Sequence, residues 1–293
     1  MLQEYIKQFL QSKRLKAKNT QEFYEKGLRF YSEAYPDWPI TDVNITNFLA
    51  DTSERGCTVS TVHCYFRAIK TFCNWLYKRK IIIINPVELV DAPKLPHLLP
   101  RAPKLQAIID LFLSIVGDDW YDLRDKALLA LALDTGMRIS EIAYLKAMEL
   151  DLEARSVLIR QAKSGRQRVV MFDVTTQHYL QLWLAKKAVL RIEFPAVFLG
   201  GRNHGMIAPL TRSGVYQILQ RRLKAAGLEH FRFHDLRHGY AIYSLQNGAN
   251  LMDVSKQLGH SNIAVTNVYT QVIDEGRGGR HDNYSPVANL TKK

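Results

Sequence analysis

The chain has 293 residues, of which 47% are hydrophobic, and its 40 Lys/Arg against 28 Asp/Glu give a net charge of +12. This hydrophobic content excludes global disorder and suffices for two domains, and no apolar run is long enough to span a membrane. The positive charge favours a polyanionic partner, although solubility alone would also explain it. The three cysteines lack paired zinc spacing and no signal peptide is apparent, so the chain is predicted to be cytoplasmic with free thiols.

Four amphipathic helices are predicted in the first part of the chain, because apolar residues recur there at steps of three and four. The first covers residues 2–12, and the second begins after an N-cap at Asn19-Thr20. The third begins at Thr41-Asp42 and the fourth at Ser60 or Thr61. The basic side chains on these helices suit either a solvated surface or contact with a phosphate backbone; they are Lys13, Arg14, Lys16, Lys18, Arg67, Lys70, Lys78, Arg79 and Lys80.

A connector is predicted at residues 86–103, where prolines recur and the chain is expected to be extended and semi-rigid. From Lys104 onward helical patterns return, and one of these helices ends near Gly136. Arg138 follows at once and begins another helix. A buried arginine at this position needs an anion, which is either an internal carboxylate of Glu141 or Asp134 or an external ligand.

The period then changes, and residues 157–159 and 168–171 are predicted to be two strands with Lys163 in the turn between them. Two helices follow, at residues 175–190 and 211–226. The second of these is basic, through Arg212, Arg221, Arg222 and Lys224, and is of a kind that could lie in the major groove of DNA.

The last third of the chain concentrates the reactive side chains. His234-Asp235-Leu236-Arg237-His238, Leu258-Gly259-His260 and Tyr269 occur within 36 residues, separated by helical apolar patterns that end at Gly248 and Gly259. An arginine and several imidazoles around one tyrosine suit covalent catalysis at a phosphate. His234 and His238 are also four residues apart, as zinc ligands on a helix can be, but no nearby Glu or Cys completes a ligand set.

These motifs, with the upstream Thr135-Gly136-Met137-Arg138-Ile139-Ser140-Glu141, resemble the tyrosine recombinase (phage integrase) family, in a form that is Xer-like or like transposon integrases. The resemblance extends over about residues 1–275. It implies a mainly α fold with a small antiparallel β-sheet, arranged as a two-domain DNA clamp. Residues 1–85 would be the helical, SAM-like core-binding domain, residues 104–275 the mixed α/β catalytic domain, and residues 276–293 a tail that is either disordered or docked on a neighbouring protomer.

The resemblance also implies roles for six residues. Tyr269 would be the nucleophile that forms a 3′-phosphotyrosyl link, and Arg138 and Arg237 would bind the non-bridging phosphate oxygens. His260 would add a third donor, and His234 would accept the tyrosine proton or hydrogen-bond the phosphate. Lys163 would be the general acid, with Arg166 and Arg168 as rivals for that role. No cofactor or metal is expected, because neither a nucleotide-binding glycine loop nor an acidic cluster appears.

The implied partner is double-stranded DNA with inverted-repeat half-sites, bound by a homotetramer, to which an accessory directionality factor can be added. Two alternatives remain. A type IB topoisomerase would use the same chemistry on one strand, and an accessory protein would bind DNA without cleaving it. The compact N-terminal domain and the HDLRH…LGH spacing favour a DNA recombination enzyme over the topoisomerase, and the complete set of six residues speaks against the accessory protein.

Overall fold

The computed structural model describes residues 1–96, 100–160, 167–190, 194–200, 207–260 and 262–273, with the backbone alone for residues 271–273. The chain divides into two units, residues 1–98 and 99–293. Over the described residues it is mainly helical, with a three-stranded antiparallel sheet, so the predicted fold class is confirmed. Within these ranges no helix is both long and apolar enough to cross a membrane. The predicted limits at residues 85, 103 and 275 stay predictions.

The first unit packs four helices around a core rich in aromatic side chains. The ring of Phe9 meets the edge of Phe72 at a centroid distance of 5.3 Å, and Tyr31 meets Phe48 at the same distance. The helices are α1 (Leu2–Ser12), α2 (Lys18–Ala34), α3 (Asp42–Glu54) and α4 (Val59–Lys78), followed by a 3-10 turn at Pro86–Leu89. Pro86 and Val87 in this turn are buried, and Val87 packs in the same core.

The sequence analysis predicted the N-caps of three helices in this unit, and the structure shows a different outcome for each. Thr41 caps α3 as predicted, since its hydroxyl accepts from the Asn44 N–H at 3.1 Å. The cap of α4 is Thr58, which lies before the predicted Ser60 or Thr61. The Asn19-Thr20 cap of α2 was wrong, because α2 begins at Lys18. There the side chain of Gln21 donates to two carbonyls of the preceding turn, which directs the chain into the helix early.

The second unit is built from eight helices and one sheet in the part of the chain described. Its three strands pair in chain order, antiparallel throughout. The first strand has two residues and was missed by the sequence analysis because it is too short to show a period. The elements are α5 (Leu105–Leu113), α6 (Trp120–Thr135), α7 (Ile139–Ala143), β1 (Leu150–Asp151), β2 (Ser156–Ile159), β3 (Arg168–Met171), α8 (Val174–Val189), α9 (Arg212–Ala225), α10 (Phe233–Gln246), α11 (Leu251–Leu258) and α12 (Ala264–Ile273).

Two glycines end the helices that border the candidate site. Gly136 ends α6 with φ of 59°, and Gly259 ends α11 with φ of 68°, a left-handed conformation that strains other residues. A Cβ on Gly136 would also lie 2.7 Å from side-chain atoms of Leu258 and Tyr240. Gly136 therefore allows α6, α10 and α11 to approach each other closely.

The basic helix α9 is less free than the sequence suggested. Arg222 donates to Asp125 at 2.7 Å and pairs with Asp122 at 2.7 Å, while Arg221 reaches the same Asp125 oxygen at 3.1 Å. Arg124, which is 2% exposed, donates to the other oxygen of Asp125. These arginines hold α9 to α6, so two of the four basic residues predicted for DNA contact serve the packing of this unit.

Candidate active site

Five of the six predicted site residues line one open cleft of about 780 Å³ in the second unit. They are Arg138, His234, Arg237, His260 and Tyr269, and His238 joins them. The predicted general acid Lys163, its rival Arg166 and the tail at residues 276–293 lie outside the described residues. The convergence brings together side chains from α7, α10, the turn after α11 and α12.

Arg237 lies buried at the cleft, with 2% of its surface exposed. Its Nη1 donates to the carbonyl of Gly136 at 2.6 Å, and its Nη2 donates to the carbonyl of Leu258 at 2.7 Å. Burial and the nearby charge of Arg138 lower its pKa to about 10. Within the described parts of the chain no carboxylate lies within ion-pair distance of this guanidinium, so no ion pair there neutralises its charge.

Arg138 occupies the N-cap position of α7 and contacts Glu141. Its backbone N–H donates to Glu141 Oε2 at 2.8 Å, and its Nη1 donates to Oε1 at 2.9 Å. The internal ion pair weighed from the sequence is therefore present for Glu141, whereas Asp134 accepts from the backbone N–H of Asp173. The Arg138 side chain remains 27% exposed at the cleft, so it can still meet an anion there.

Glu141 also accepts two hydrogen bonds from Arg168, at 2.9 and 2.7 Å. Burial alone would raise the pKa of Glu141, but the hydrogen bonds and charges of Arg168 and Arg138 lower it below its usual value. The Nε of Arg168 further donates to the carbonyl of Gln257 at 3.0 Å, and its side chain is 9% exposed. Arg168 thus connects β3 to the end of α11, which removes the freedom that a general acid at the leaving oxygen needs.

His260 sits between Arg237 and Thr266. Its Nε2 lies 3.0 Å from Arg237 Nη2, and its Nδ1 lies 2.7 Å from Thr266 Oγ1. An arginine only donates hydrogen bonds, so Nε2 of His260 accepts from Arg237. The ring hydrogen is therefore on Nδ1, which donates to the hydroxyl oxygen of Thr266. Burial and then the charge of Arg237 lower the pKa of His260 to about 4. The predicted role as a phosphate donor through Nε2 would need a second proton, which a bound phosphate would favour.

Tyr269 is carried by α12 and is 4% exposed. Its hydroxyl lies 2.9 Å from Nδ1 of His238. Burial raises the pKa of Tyr269, and the charge of Arg237 opposes that rise. His238 was not among the six predicted residues, although its position one helical turn after His234 was the signal that could have placed it on the same face.

The two histidines of α10 lie side by side, with ring centroids 4.6 Å apart. Burial, followed by the charge of Arg237, lowers the pKa of His234 below its usual value. Over the described ranges, no group of three His, Cys, Asp or Glu residues is placed to hold a metal ion. The zinc alternative for His234 and His238 therefore finds no third ligand there.

Comparison with known proteins decides the family. Residues 105–275, more than half of the chain, match the phage integrase family. The chain belongs to this family. It is 33% identical to tyrosine recombinase XerC of Bacillus licheniformis over 89% of this chain and 85% of the relative. It is 30% identical to tyrosine recombinase XerD of Oceanobacillus iheyensis over 96% of both chains.

One solved structure has the same fold as this chain, although the two sequences share few identical residues. It is XerH, a site-specific recombinase bound to palindromic difH substrate in a post-cleavage complex, with a TM-score of 0.75, 20% identity, and coverage of 94% of this chain and 83% of that chain. The family inferred from the motifs is thus confirmed, and the chain is a site-specific tyrosine recombinase, an enzyme. Neither the topoisomerase nor the inactive accessory protein gains support from these matches.

Proposed function

We propose that this recombinase cleaves and rejoins DNA with Tyr269 as its nucleophile. The observation that carries the proposal is the placement of the Tyr269 hydroxyl and the buried guanidinium of Arg237 in one cleft. A tyrosine near a buried arginine that lacks a carboxylate partner suits attack at a phosphodiester, because the arginine charge is available for the phosphate.

In this reaction the bond from Tyr269 Oη to phosphorus forms while the bond from phosphorus to the 5′-oxygen breaks. The products are a 3′-phosphotyrosyl link and a free 5′-hydroxyl. A 5′-hydroxyl from a partner strand then attacks the same phosphorus and releases Tyr269. One ester replaces another at each step, so the exchange conserves bond energy and requires no nucleotide hydrolysis.

The protein must stabilise the negative charge that develops on the phosphorane. Arg237 and Arg138 are proposed to donate to its non-bridging oxygens, since both line the cleft and Arg138 is partly exposed there. His260 is proposed as a third donor. The loss of one such preorganised donor typically slows the reaction by about 10²–10³-fold.

The 5′-oxygen needs a proton as it leaves, and Lys163 is proposed to supply it. This proposal rests on the sequence, where Lys163 follows strand β2 in the predicted turn. It gains support from the commitment of Arg168 to Glu141, which leaves Lys163 and Arg166 as the remaining candidates in this hairpin.

The proposed substrate is double-stranded DNA with inverted half-sites. The palindromic substrate of the structurally similar XerH supports this, because a palindrome offers the same surface to two protomers related by a two-fold axis. Strand exchange between two such duplexes would need four protomers, and an accessory directionality factor can act on that assembly. The positive charge of the chain and its three free cysteines suit action on DNA in the reducing cytoplasm.

Cleavage of a nicked suicide substrate tests the proposal. The substrate traps the covalent intermediate, because the short fragment carrying the 5′-hydroxyl diffuses away. Tyr269→Phe should bind the DNA but form no adduct that survives SDS, whereas Tyr243→Phe on α10 should still form it. An SDS-resistant adduct with Tyr269→Phe would show that another residue is the nucleophile.

A further inference from the structure

The hydroxyl of Tyr269 has one hydrogen-bond partner in the described structure, and that partner is His238. The distance from Tyr269 Oη to His238 Nδ1 is 2.9 Å, and the ring centroids are 5.6 Å apart. The resemblance to recombinases pointed instead to His234 for the tyrosine proton. The structure instead places a second imidazole, one helical turn after His234, at the hydroxyl.

His238 is suited to accept a proton from this hydroxyl. A neutral imidazole with its hydrogen on Nε2 presents a lone pair at Nδ1, which is the atom that faces Tyr269. The groups around the ring keep it neutral, since burial, His234, Arg232 and Arg237 all lower the pKa of His238 while Asp235 opposes them, with a value of about 4. Asp235 is itself held by Arg232 at 2.9 Å.

His234 is placed differently. It lies in the first turn of α10, where the helix N-terminus favours a bound anion. The charges of Arg237 and Arg138 both act on its ring. Arg237 acts on the ring of His238 as well. His234 is therefore set apart by the charge of Arg138 and by its position in the first turn of α10, which place it with the groups proposed to bind the phosphate.

We propose that His238 is the catalytic base for Tyr269, and that His234 serves the phosphate. This inference rests on the proposed function. During cleavage the O–H bond of Tyr269 breaks, its proton forms an N–H bond at Nδ1 of His238, and Oη forms the bond to phosphorus. The proton that the leaving 5′-oxygen gains comes separately from the general acid.

In the rejoining step the attacking 5′-hydroxyl gives its proton to the general acid, which lost one during cleavage, and the proton on Nδ1 of His238 returns to Oη of Tyr269 as the phosphotyrosyl bond breaks. The imidazolium that exists between the two steps lies beside a phosphate, whose negative charge offsets the repulsion from Arg237 and Arg232. Each cycle therefore leaves His238 neutral and Tyr269 protonated, as they were at the start.

The test replaces both the base and the nucleophile. His238→Asn keeps a hydrogen-bond acceptor near the position of Nδ1 but cannot accept a proton, and His234→Asn makes the same change at the neighbouring ring. Each variant is prepared with Tyr269 and with a ring-fluorinated tyrosine at position 269, whose hydroxyl is more acidic and depends less on a base. Adduct formation on the nicked substrate is timed at pH 7.5.

With the natural tyrosine, His238→Asn should slow adduct formation by about 10²–10⁴-fold, the usual contribution of a general base. With the fluorinated tyrosine this loss should shrink at least tenfold. The loss caused by His234→Asn should be equal with both nucleophiles. His178→Asn, at an exposed histidine of α8, should match the unmodified protein with either nucleophile.

An equal loss for His238→Asn with both nucleophiles would overturn the inference, as would a rescue confined to His234→Asn. If His238→Asn is too unstable to bind DNA, His238→Gln is measured in its place under the same criteria. Tyr269→Phe distinguishes failure of the proposed function from failure of the role proposed for His238. An adduct with Tyr269→Phe contradicts the proposed function itself, whereas its absence, together with an unrescued His238 variant, contradicts the role of His238 alone.

Discussion

Thr266 Oγ1 lies 2.7 Å from Nδ1 of His260, so the helix that carries Tyr269 also orients a histidine of the phosphate cleft. Thr266 is fully buried, and it precedes Tyr269 by one turn of α12. Any displacement of α12 would therefore change the nucleophile and the contact of His260 with Arg237 together. This coupling offers a physical route by which the position of one helix sets the state of the whole site.

Replacement of Thr266 by valine tests this coupling. The change keeps the shape of the side chain but leaves the Nδ1–H of His260 without its acceptor, which we expect to destabilise the protein by about 1–3 kcal/mol. Adduct formation should slow as well, because His260 loses its fixed orientation. Urea unfolding and suicide-substrate cleavage measure the two effects.

Thr270→Val is the matched control, since its hydroxyl donates within α12 to the carbonyl and the side-chain oxygen of Asn267. It should change both quantities little. If Thr266→Val leaves the cleavage rate at the level of this control, the hydrogen bond from His260 does not orient the ring for catalysis.

Arg168 is predicted to hold the carboxylate of Glu141 in place through two hydrogen bonds. Arg168→Lys keeps the charge but cannot donate the two parallel hydrogen bonds, and Arg168→Met leaves the buried Glu141 with Arg138 alone. We expect Arg168→Met to destabilise the protein by about 3–5 kcal/mol, as the loss of one partner of a buried pair does, and Arg168→Lys to fall between it and the natural protein. Chemical denaturation provides the comparison.

The carboxylate of Glu141 should make the free energy of unfolding depend on pH. Because Glu141 has a folded-state pKa below 4.5, its interactions contribute fully above about pH 4.5, and the contribution is lost as the pH falls through the folded value. The difference in unfolding free energy between the natural protein and Glu141→Gln should therefore be largest near neutrality and shrink below pH 4.5. A difference that is constant down to pH 3 would show that the pKa of Glu141 is not lowered.

His238 and His260 should make the free energy of unfolding depend on pH in a second, higher pH range. Both have a folded pKa of about 4, below the ordinary 6.5, so the unfolded chain takes up their protons first on acidification. The contribution of the two neutral histidines to the free energy of unfolding should be fully present above about pH 6.5 and should decline from there towards pH 4. A variant with both residues changed to Asn should show a flatter decline over this range in urea unfolding midpoints, and identical slopes would contradict the lowered values.

Gly136 is predicted to tolerate no side chain. Gly136→Ala combines a left-handed backbone with a Cβ that meets Tyr240 and Leu258 at 2.7 Å, and the Gly136 carbonyl accepts from Arg237. Gly227→Ala is the matched control, because it has φ of 65° and no atom within 4 Å of the added Cβ. The control should cost about 1 kcal/mol of backbone strain and retain cleavage.

Gly136→Ala should cost about 1–3 kcal/mol more than the control, through the steric overlap, and should lower the cleavage rate by displacing Arg237. Thermal or urea unfolding of the two variants gives the difference directly. Equal destabilisation in both proteins would mean that Tyr240 and Leu258 move aside without consequence.

The helices and their glycine ends could be predicted because each depends on neighbouring residues. Apolar steps of three and four placed α10 and α11, and Gly136 and Gly259 end their helices in the left-handed conformation that a glycine adopts readily. The motifs also named Arg138, His234, Arg237, His260 and Tyr269, which the fold brings to one cleft. The errors were local, at the start of α2 and α4 and at the short strand β1.

The sequence by itself determined the family, the chemistry-bearing side chains and the helical framework, since these depend on residue type and on spacing along the chain. Only the tertiary structure decided which partner each side chain meets. His238 rather than His234 bonds Tyr269, Arg168, a rival for the general acid in the sequence analysis, bonds Glu141, and Asp125 bonds two arginines of the basic helix. These pairings join residues 27 to 97 positions apart, and no local periodicity encodes them, because they arise from how separate helices and strands pack into one core.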